Sequence, residues 1–328
     1  MIERFFLETI KKFNLLKKKD KLLLGISGGP DSIFLLHQLK NIQKQYSLKL
    51  VCVHFNHGLR KEADSEEDFV RQLCRELSIK FISEKKPVKE FFKGDSLEQT
   101  ARNLRLDFFL KCSRQEKIKK IALAHHKDDL VETVLMRLIR GSGLKGLRGF
   151  LPRSRYKSLT IVRPLIEISK KNILSWLKQE KKSYCLDKSN FEDKFFRNKI
   201  RLKLLPALED FNPNIVDSLF QLARTISEDY DFIYSHCRSI YLKLKKSDSK
   251  NTISLDHKGL KELTGALFNN VIRIAIEDLQ QHTRRLEIRH LDEIRDLVLS
   301  RPTGSIVDLP NLIVKKSHNH IIIQSLLM

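Results

Sequence analysis

The sequence predicts an α/β fold: a doubly wound, mostly parallel sheet, continued by a basic helical extension and a smaller C-terminal α+β domain. Three observations predict it. Short apolar runs alternate with amphipathic stretches from residue 21 to residue 139, the pattern of strands joined by helical crossovers. The first run, Leu22-Leu23-Leu24, passes through Ser27-Gly28-Gly29-Pro30-Asp31-Ser32 straight into helical apolar spacing at Ile33, Phe34, Leu36 and Leu39. Beyond Gly141 the alternation gives way to a basic segment, then to long helices and a final set of alternating strands.

Each element has its own reason. Residues 3–16 interrupt apolar side chains with charges at helical spacing, which makes an amphipathic helix and not the unbroken apolar region of a signal peptide. Residues 22–26 form the first strand, and the helix after the turn runs to about residue 46. Residues 50–55, LVCVHF, are continuous and β-branched, as a strand buried on both faces requires. Residues 64–77 read as a charged amphipathic helix, 80–83 as a short strand, 97–112 as a helix, 119–124 as a strand and 128–139 as a helix. Four of the 12 glycines fall between Gly141 and Gly149, a density that predicts a mobile loop near a ligand. Residues 168–208 read as basic and mainly helical. Glu209-Asp210-Phe211-Asn212-Pro213 interrupts the periodicity and marks a boundary, so residues 1–210 form one domain, with its basic extension from about 150, and 213–328 another. Helices are expected at 215–244, 260–280 and 291–299, and paired strands at 305–309 and 312–324.

Composition narrows the class. A chain of 328 residues accommodates two cores, and no stretch approaches the ~20 apolar residues of a membrane span. The five cysteines form no C-x-x-C pair, so neither a disulfide framework nor a zinc knuckle is indicated. These features predict a cytoplasmic protein with no membrane partner. The net charge of +22 favours an anionic partner, nucleic acid above all. It is unevenly spread: residues 145–203 hold 17 Lys and Arg against 5 Asp and Glu.

The Gly28-Gly29 turn lets backbone approach a ligand without Cβ interference, and the helix start that follows offers free N–H groups and a positive dipole end to an anion. Ser27 and Ser32 add hydroxyl donors. The plain alternative is a Gly-Gly turn capped by Asp31 or Ser32. No Gly-Lys-Ser/Thr occurs, so the loop lacks the lysine that reaches the β- and γ-phosphates in a Walker loop. A loop without it suits a pyrophosphate that leaves as a unit.

His54-Phe55-Asn56-His57-Gly58 closes the second strand, where its backbone would flank an adenine or simply turn. Asp129 and Glu132 are i, i+3 on one helix face, at a strand tip, where a magnesium ion or a substrate ammonium would meet them; the plain alternative is dipole complementation. His125 and His126 lack zinc-site spacing. Arg102 and Arg105, one turn apart, would clamp phosphates or lie on a solvated helix face.

The hexapeptide SGGPDS resembles the phosphate loop of the N-type ATP pyrophosphatases, the PP-loop enzymes with a Rossmann-like sheet. Together with HFNHGLR, EQTARNLR, AHHKDDLVETVLMRLIRGSGLKGL and DKSNFEDKFFRNKIRLKLLPAL, in that order and spacing, it resembles the tRNA(Ile)-lysidine synthetase family continuously from residue 21 to about 208. Two positions depart from the family pattern: Leu106 stands where an aromatic is common, and Leu130 where Gln is common. The C-terminal part is similar to that family's shorter substrate-binding domain, and the further C-terminal domain of longer members is expected to be missing.

The resemblance implies a ligase. ATP would adenylate O2 of the wobble cytidine in an isoleucine tRNA with a CAU anticodon, and free L-lysine would then displace AMP, leaving lysidine and changing codon reading from AUG to AUA. Ser27, Gly28, Gly29, Pro30, Asp31 and Ser32 would bind the ATP phosphates, with Asp31 near Mg2+, and His54 and Asn56 would flank the nucleotide. Asp129 and Glu132 would hold the lysine ammonium, and Arg105 would contact the cytidine or its adenylate. Asn190, Arg197, Asn198 and Arg201, with Lys194 and Lys199, would meet tRNA phosphates. The family includes homodimers. A PP-loop tRNA thiolase and a non-catalytic nucleotide-dependent RNA-binding protein are the alternatives, and the missing C-x-x-C pairs count against the first.

Overall fold

The computed structural model describes residues 2–58, 63–92, 94, 97–186, 196–249, 251–283 and 285–326. Two compact units divide at residues 226 and 227.

The first unit opens with α1 (Ile2–Lys12), β1 (Lys21–Gly25), α2 (Pro30–Asn41), α3 (Gln43–Tyr46), β2 (Lys49–Asn56), α4 (Ala63–Glu76) and β3 (Lys80–Lys85). It continues with α5 (Leu97–Gln115), β4 (Lys120–Leu123), α6 (Lys127–Ile139), α7 (Leu144–Leu147), β5 (Arg153–Tyr156), β6 (Leu159–Val162) and α8 (Lys170–Gln179). After residues 187–195 come α9 (Phe196–Lys199), a π-helical turn at Ile200–Leu204, and α10 (Leu205–Phe211). The sheet order is β3-β2-β1-β4-β6-β5. All pairings are parallel except β5 with β6, so the predicted doubly wound sheet is present.

The apolar run of β1 works because alternate residues of a strand face opposite sides. Leu22 and Leu24 join one core with Phe6 and Ile10 of α1, Phe34 and Leu35 of α2, Val70 of α4 and Trp176 of α8. Leu23 joins the other with Val51, Val53, Phe108, Phe109 and Ile121. The rings of Phe34 and Trp176 meet nearly at right angles, with centroids 5.1 Å apart, fixing α2, and with it the turn that starts α2, against α8. The two departures from the family pattern are packing positions: Leu106 and Leu130 are both buried in cores.

Two expectations need correction. The glycine stretch at 141–149 is not an open loop at the ligand cleft. It contains α7, and Arg137 Nη1 donates to the carbonyls of Gly146 and Gly149, both at 2.7 Å. Gly149 has φ +65°, and a Cβ there would stand 2.3 Å from Leu130 Cδ1, so its glycine serves close packing. The β5–β6 hairpin was absent from the sequence reading because Arg153–Tyr156 is short and charged, and only its partner strand makes it a strand.

The second unit is an antiparallel sheet of order β7-β8-β11-β10-β9 with helices packed on it. Its elements are the later part of α11 (Ile215–Leu244), β7 (Lys245–Ser249), β8 (Thr252–Asp256), α12 (His257–Lys261), α13 (Gly265–Gln280), α14 (Ile288–Leu299), β9 (Ile306–Leu309), β10 (Leu312–Lys316) and β11 (His320–Ser325). The units divide within α11, not at 210–213. Phe220 and Ala223, early in that helix, pack with Leu130 and Val134, whereas Cys237 and Tyr241, later in it, join the second core. The sequence reading missed both β7 and β8; β7, Lys-Lys-Ser-Asp-Ser, is polar throughout and joins the sheet by backbone pairing to β8.

His37, buried in α2 beside Trp176, has its pKa pushed down to about 4 by burial and then by Lys182. The folded chain keeps it neutral where the unfolded chain, at 6.5, binds a proton. Its contribution to stability is therefore complete above pH 6.5 and is lost as pH falls toward 4. His37→Gln should lose less stability than wild type between pH 7 and 4.5 in urea titrations; parallel pH dependences would refute this.

Candidate active site

The site is built at the carboxyl ends of β1, β2 and β4, where open parallel sheets bind ligands. Here lies a cleft of about 590 Å³, lined among others by Ser27, Gly29, Asp31, His54, Asn56, Arg105, His125, Arg197 and Asn198.

Its floor is the turn between β1 and α2. Gly28 takes φ +94°, a conformation side chains resist, and Gly29 leads into Pro30 at the first helical position, where proline's missing N–H costs nothing. The buried Ser32 hydroxyl gathers the turn: it accepts from the N–H of Ser27 and of Gly28, both at 3.2 Å, and donates to Gly29 O at 2.8 Å. The Cys185 N–H donates to Gly28 O at 3.0 Å, tying the segment after α8 to the loop. Asp31 faces Lys170, with Nζ at 2.6 Å from Oδ1.

His54 and Asn56 line the cleft, but their side chains are engaged elsewhere. His54 Nδ1 pairs with Ile26 O at 2.9 Å, and burial lowers its pKa. The Asn56 amide donates to Asp64 Oδ1 at 2.9 Å and accepts from the Gly58 N–H at 2.9 Å. They shape the wall with backbone, as a turn does. Leu59 and Arg60 of the same motif lie outside the described residues.

The carboxylates of α6 form the densest polar cluster. His126 caps this helix, and its N–H donates to Asp129 Oδ2 at 3.0 Å. Its ring lies among three carboxylates, Asp128 at 3.4 Å, Asp129 at 3.5 Å and Asp31 at 3.7 Å. Burial opposes its protonation, but Asp129, Asp128 and Asp31 outweigh that and raise its pKa. Asp128 also accepts the Lys170 N–H at 2.8 Å. Its carboxyl is held below the usual range by His126 and that N–H, against the opposing effect of burial.

Asp129 and Glu132 meet Arg197 and Arg201. Arg197 Nε reaches Glu132 Oε2 at 2.6 Å and its Nη2 reaches Asp129 Oδ1 at 2.7 Å; Arg201 Nε reaches Glu132 Oε1 at 2.6 Å. The Glu132 side chain is only 2% exposed, so it requires such partners. Burial works against both guanidinium charges, yet these carboxylates raise both pKa values. The sequence reading assigned the carboxylates to an amine and the arginines to RNA, whereas the structure joins the four in one network. Asn198 is buried at the cleft; Asn190 and Lys194 lie outside the described residues.

The other wall gathers cations around one carboxylate, Glu98 of α5, which also lines the cleft. Arg105 lines the cleft with Nε buried and unbonded, and burial, then Arg102 and Arg197, push its pKa down to about 10. His125, also in the wall, is held well below its ordinary pKa by burial and then by Arg163, Arg105, Arg197 and Arg102. Lys170 escaped sequence reasoning, because it reaches Asp31 from the start of α8, 139 residues along the chain, and not from a local motif. His126 had one legible sign, its place just before the acidic helix start.

A divalent ion fits this chemistry through hard oxygens. Asp31, beside the phosphate loop and paired with Lys170, would offer one carboxylate to such an ion if nucleotide phosphates brought it. Among the described residues no group of three His, Cys, Asp or Glu side chains is arranged to hold a metal.

A strand, a glycine turn and a helix opening on a cleft at the ends of a parallel sheet define a PP-loop domain, and residues 2–208 match the PP-loop domain family. The fold is similar to that of a U34-tRNA thiolase from Methanococcus maripaludis, with a TM-score of 0.58 at 20% identity over 69% of this chain and 78% of that one. Over 99% of its length the chain is 35% identical to the tRNA(Ile)-lysidine synthase of Caldanaerobacter subterraneus subsp. tengcongensis, covering 69% of that protein. It is 32% identical to the one from Clostridioides difficile, over 97% and 69%. With that of Petrotoga mobilis it shares 33% over 87% of this chain and 88% of the relative. The chain belongs to the tRNA(Ile)-lysidine synthase family.

Glu132→Gln leaves two guanidiniums short of a charged partner. A loss of about 1–3 kcal/mol is expected from hydrogen bonds to charged groups, less than for a fully buried pair because both arginines are about one-third exposed. The urea midpoint at pH 7 measures it, and an unchanged midpoint would count against the network.

Proposed function

We propose that the protein ligates free L-lysine to C2 of the wobble cytidine in an isoleucine tRNA with a CAU anticodon, consuming ATP and releasing pyrophosphate and AMP. One observation carries this reading most: a buried carboxylate pair that holds nitrogen cations, Asp129 and Glu132 on Arg197 and Arg201, beside a phosphate loop without a Walker lysine. Such a site suits an amine nucleophile and a pyrophosphate leaving group.

In the first step O2 of the cytidine attacks the α-phosphorus of ATP and the bond to pyrophosphate breaks. The N–H groups of the first turn of α2 would stabilise the departing charge because they are already oriented. Asp31 would hold Mg2+ with the phosphates, and the ion would supply further charge neutralisation. In the second step the lysine ε-amine, having lost its proton, attacks C2; the C2–O2 bond breaks and AMP leaves with O2. Asp129 and Glu132 position the ammonium and accept that proton. For the ammonium to reach them a guanidinium must turn away, and RNA phosphates are the anions to draw Arg197 or Arg201 off. Lysidine then pairs with A in place of G, so the tRNA reads AUA instead of AUG.

RNA affinity is proposed to rest on the first unit. Residues 227–328 carry 15 Lys and Arg against 13 Asp and Glu, so nearly all of the excess charge lies before them. The C-terminal unit is then left to read the shape of the acceptor end, which distinguishes the isoleucine tRNA from a methionine tRNA with the same anticodon.

Radiolabelled lysine should enter unmodified isoleucine CAU tRNA with ATP and Mg2+, and not methionine tRNA. Asp129→Ala should lower the rate by about 100-fold or more, as loss of a positioning group does. Absence of label with ATP still bound would overturn the reading. Affinity for tRNA should also fall steeply with salt, as phosphate contacts by Lys and Arg demand; a flat salt dependence would remove the RNA-binding role of the basic segment.

A further inference from the structure

Arg163, the residue after β6, is a buried cation without an anionic partner. It is 6% exposed. Its Nη1 donates to Leu151 O at 2.7 Å and to Ser154 Oγ at 2.9 Å. Its Nε has no hydrogen-bond partner, and among the described residues no carboxylate lies within ion-pair distance. An uncompensated buried charge costs several kcal/mol, so something must offset it. The guanidinium lies over the ring of Phe150 at 5.1 Å, and that ring meets the imidazole of His125 with centroids 5.2 Å apart. His125 lines the cleft, and its Nδ1 is buried and unbonded.

The sheet order says which part of the cleft this is. The phosphate loop follows β1, and the wall of residues 53–57 belongs to β2 and the turn after it. His125 follows β4, and Arg163 follows β6, one strand further out on the opposite side of β1 from β2. A nucleotide seated on the loop and extended toward β2 leaves the β4–β6 side for the second substrate.

We infer that Arg163 is a positioning residue: through Phe150 it fixes the ring of His125 on the second-substrate side of the cleft, where His125 meets a pyrimidine base as an uncharged hydrogen-bonding group. This rests on the proposed reaction, in which that base is the acceptor. With Nδ1 buried, Nε2 is the ring nitrogen left for the base; in a neutral imidazole it can serve as donor or acceptor according to the tautomer, whereas in an imidazolium it can only donate. The charged groups facing His125 are Arg163 after β6, Arg102 and Arg105 of α5, and Arg197 of α9. All are cations, and all disfavour protonation of the ring.

The test is a double-substitution cycle on the full chain with Arg163→Met, His125→Ala and both. Each single change should slow lysine transfer to the isoleucine tRNA by about 10–100-fold, the effect of a misplaced group, with ATP affinity unchanged within about twofold. The double variant should be no slower than His125→Ala, because residues acting through one another are not additive. Multiplying losses would overturn the inference. Nitrogen-15 spectra of the imidazole rings, taken without substrates, give a readout that does not need the reaction. The His125 ring should be a single neutral tautomer in wild type, and should average between tautomers or titrate in Arg163→Met. An unchanged His125 signal would overturn the inference even if activity fell. A changed signal in Arg163→Met, alongside a wild type that transfers no lysine, would uphold the positioning and refute the reaction. If Arg163→Met does not fold, Arg163→Lys, which keeps charge but not the planar stack, should show the same spectral change.

Discussion

The site depends on the burial of one carboxylate. Glu132 sits on the inner face of α6, where it cannot stay charged without partners, and the partners come from 65 and 69 residues further along the chain. Arg197 and Arg201 satisfy it while remaining partly exposed, so the same two side chains hold α9 and the π-helical turn against α6 and keep cationic faces toward solvent. A π-helical turn at Ile200–Leu204 lies within this segment, and Arg201 belongs to it.

Charge in the cleft is divided by wall. On the α6 side, three carboxylates surround the His126 ring, and Asp31 is bonded to Lys170. On the α5 and β6 side, Arg105 and Arg163 make no carboxylate ion pair among the described residues, and burial above all lowers both pKa values, with Glu98 partly opposing it at Arg105. One wall is thus ready for cations and the other for anions or carbonyl-rich groups. A reaction that joins an amine to a nucleotide-activated base needs both.

Much of this was legible in the chain. The parallel sheet followed from the alternation of Leu22-Leu23-Leu24, LVCVHF and the amphipathic stretches between them, because burial on both faces demands continuous apolar strands. The phosphate turn was legible because Gly28 and the helix start are local features, and so was the i, i+3 pairing of Asp129 with Glu132. The edge strands were not. Arg153–Tyr156 and Lys245–Ser249 have polar sequences and become strands through backbone pairing with distant neighbours. The glycines at 141–149 misled for the opposite reason: Gly146 and Gly149 stand where a Cβ would collide with Ser142 and Leu130, and their carbonyls accept from Arg137.

By itself the sequence determined the fold class, the phosphate loop, the family and the identity of most polar groups near the cleft, since each depends on residues close together in the chain. Which of those groups meet was decided by the tertiary structure alone. That His126 lies among Asp31, Asp128 and Asp129, that Lys170 meets Asp31, and that Arg197 and Arg201 meet Asp129 and Glu132 all depend on sheet order and on helices returning over it. Local periodicity reports which face of an element is buried. It carries no information about which distant charge that burial will bring into contact, because that choice is made only when desolvation forces buried charges to find partners.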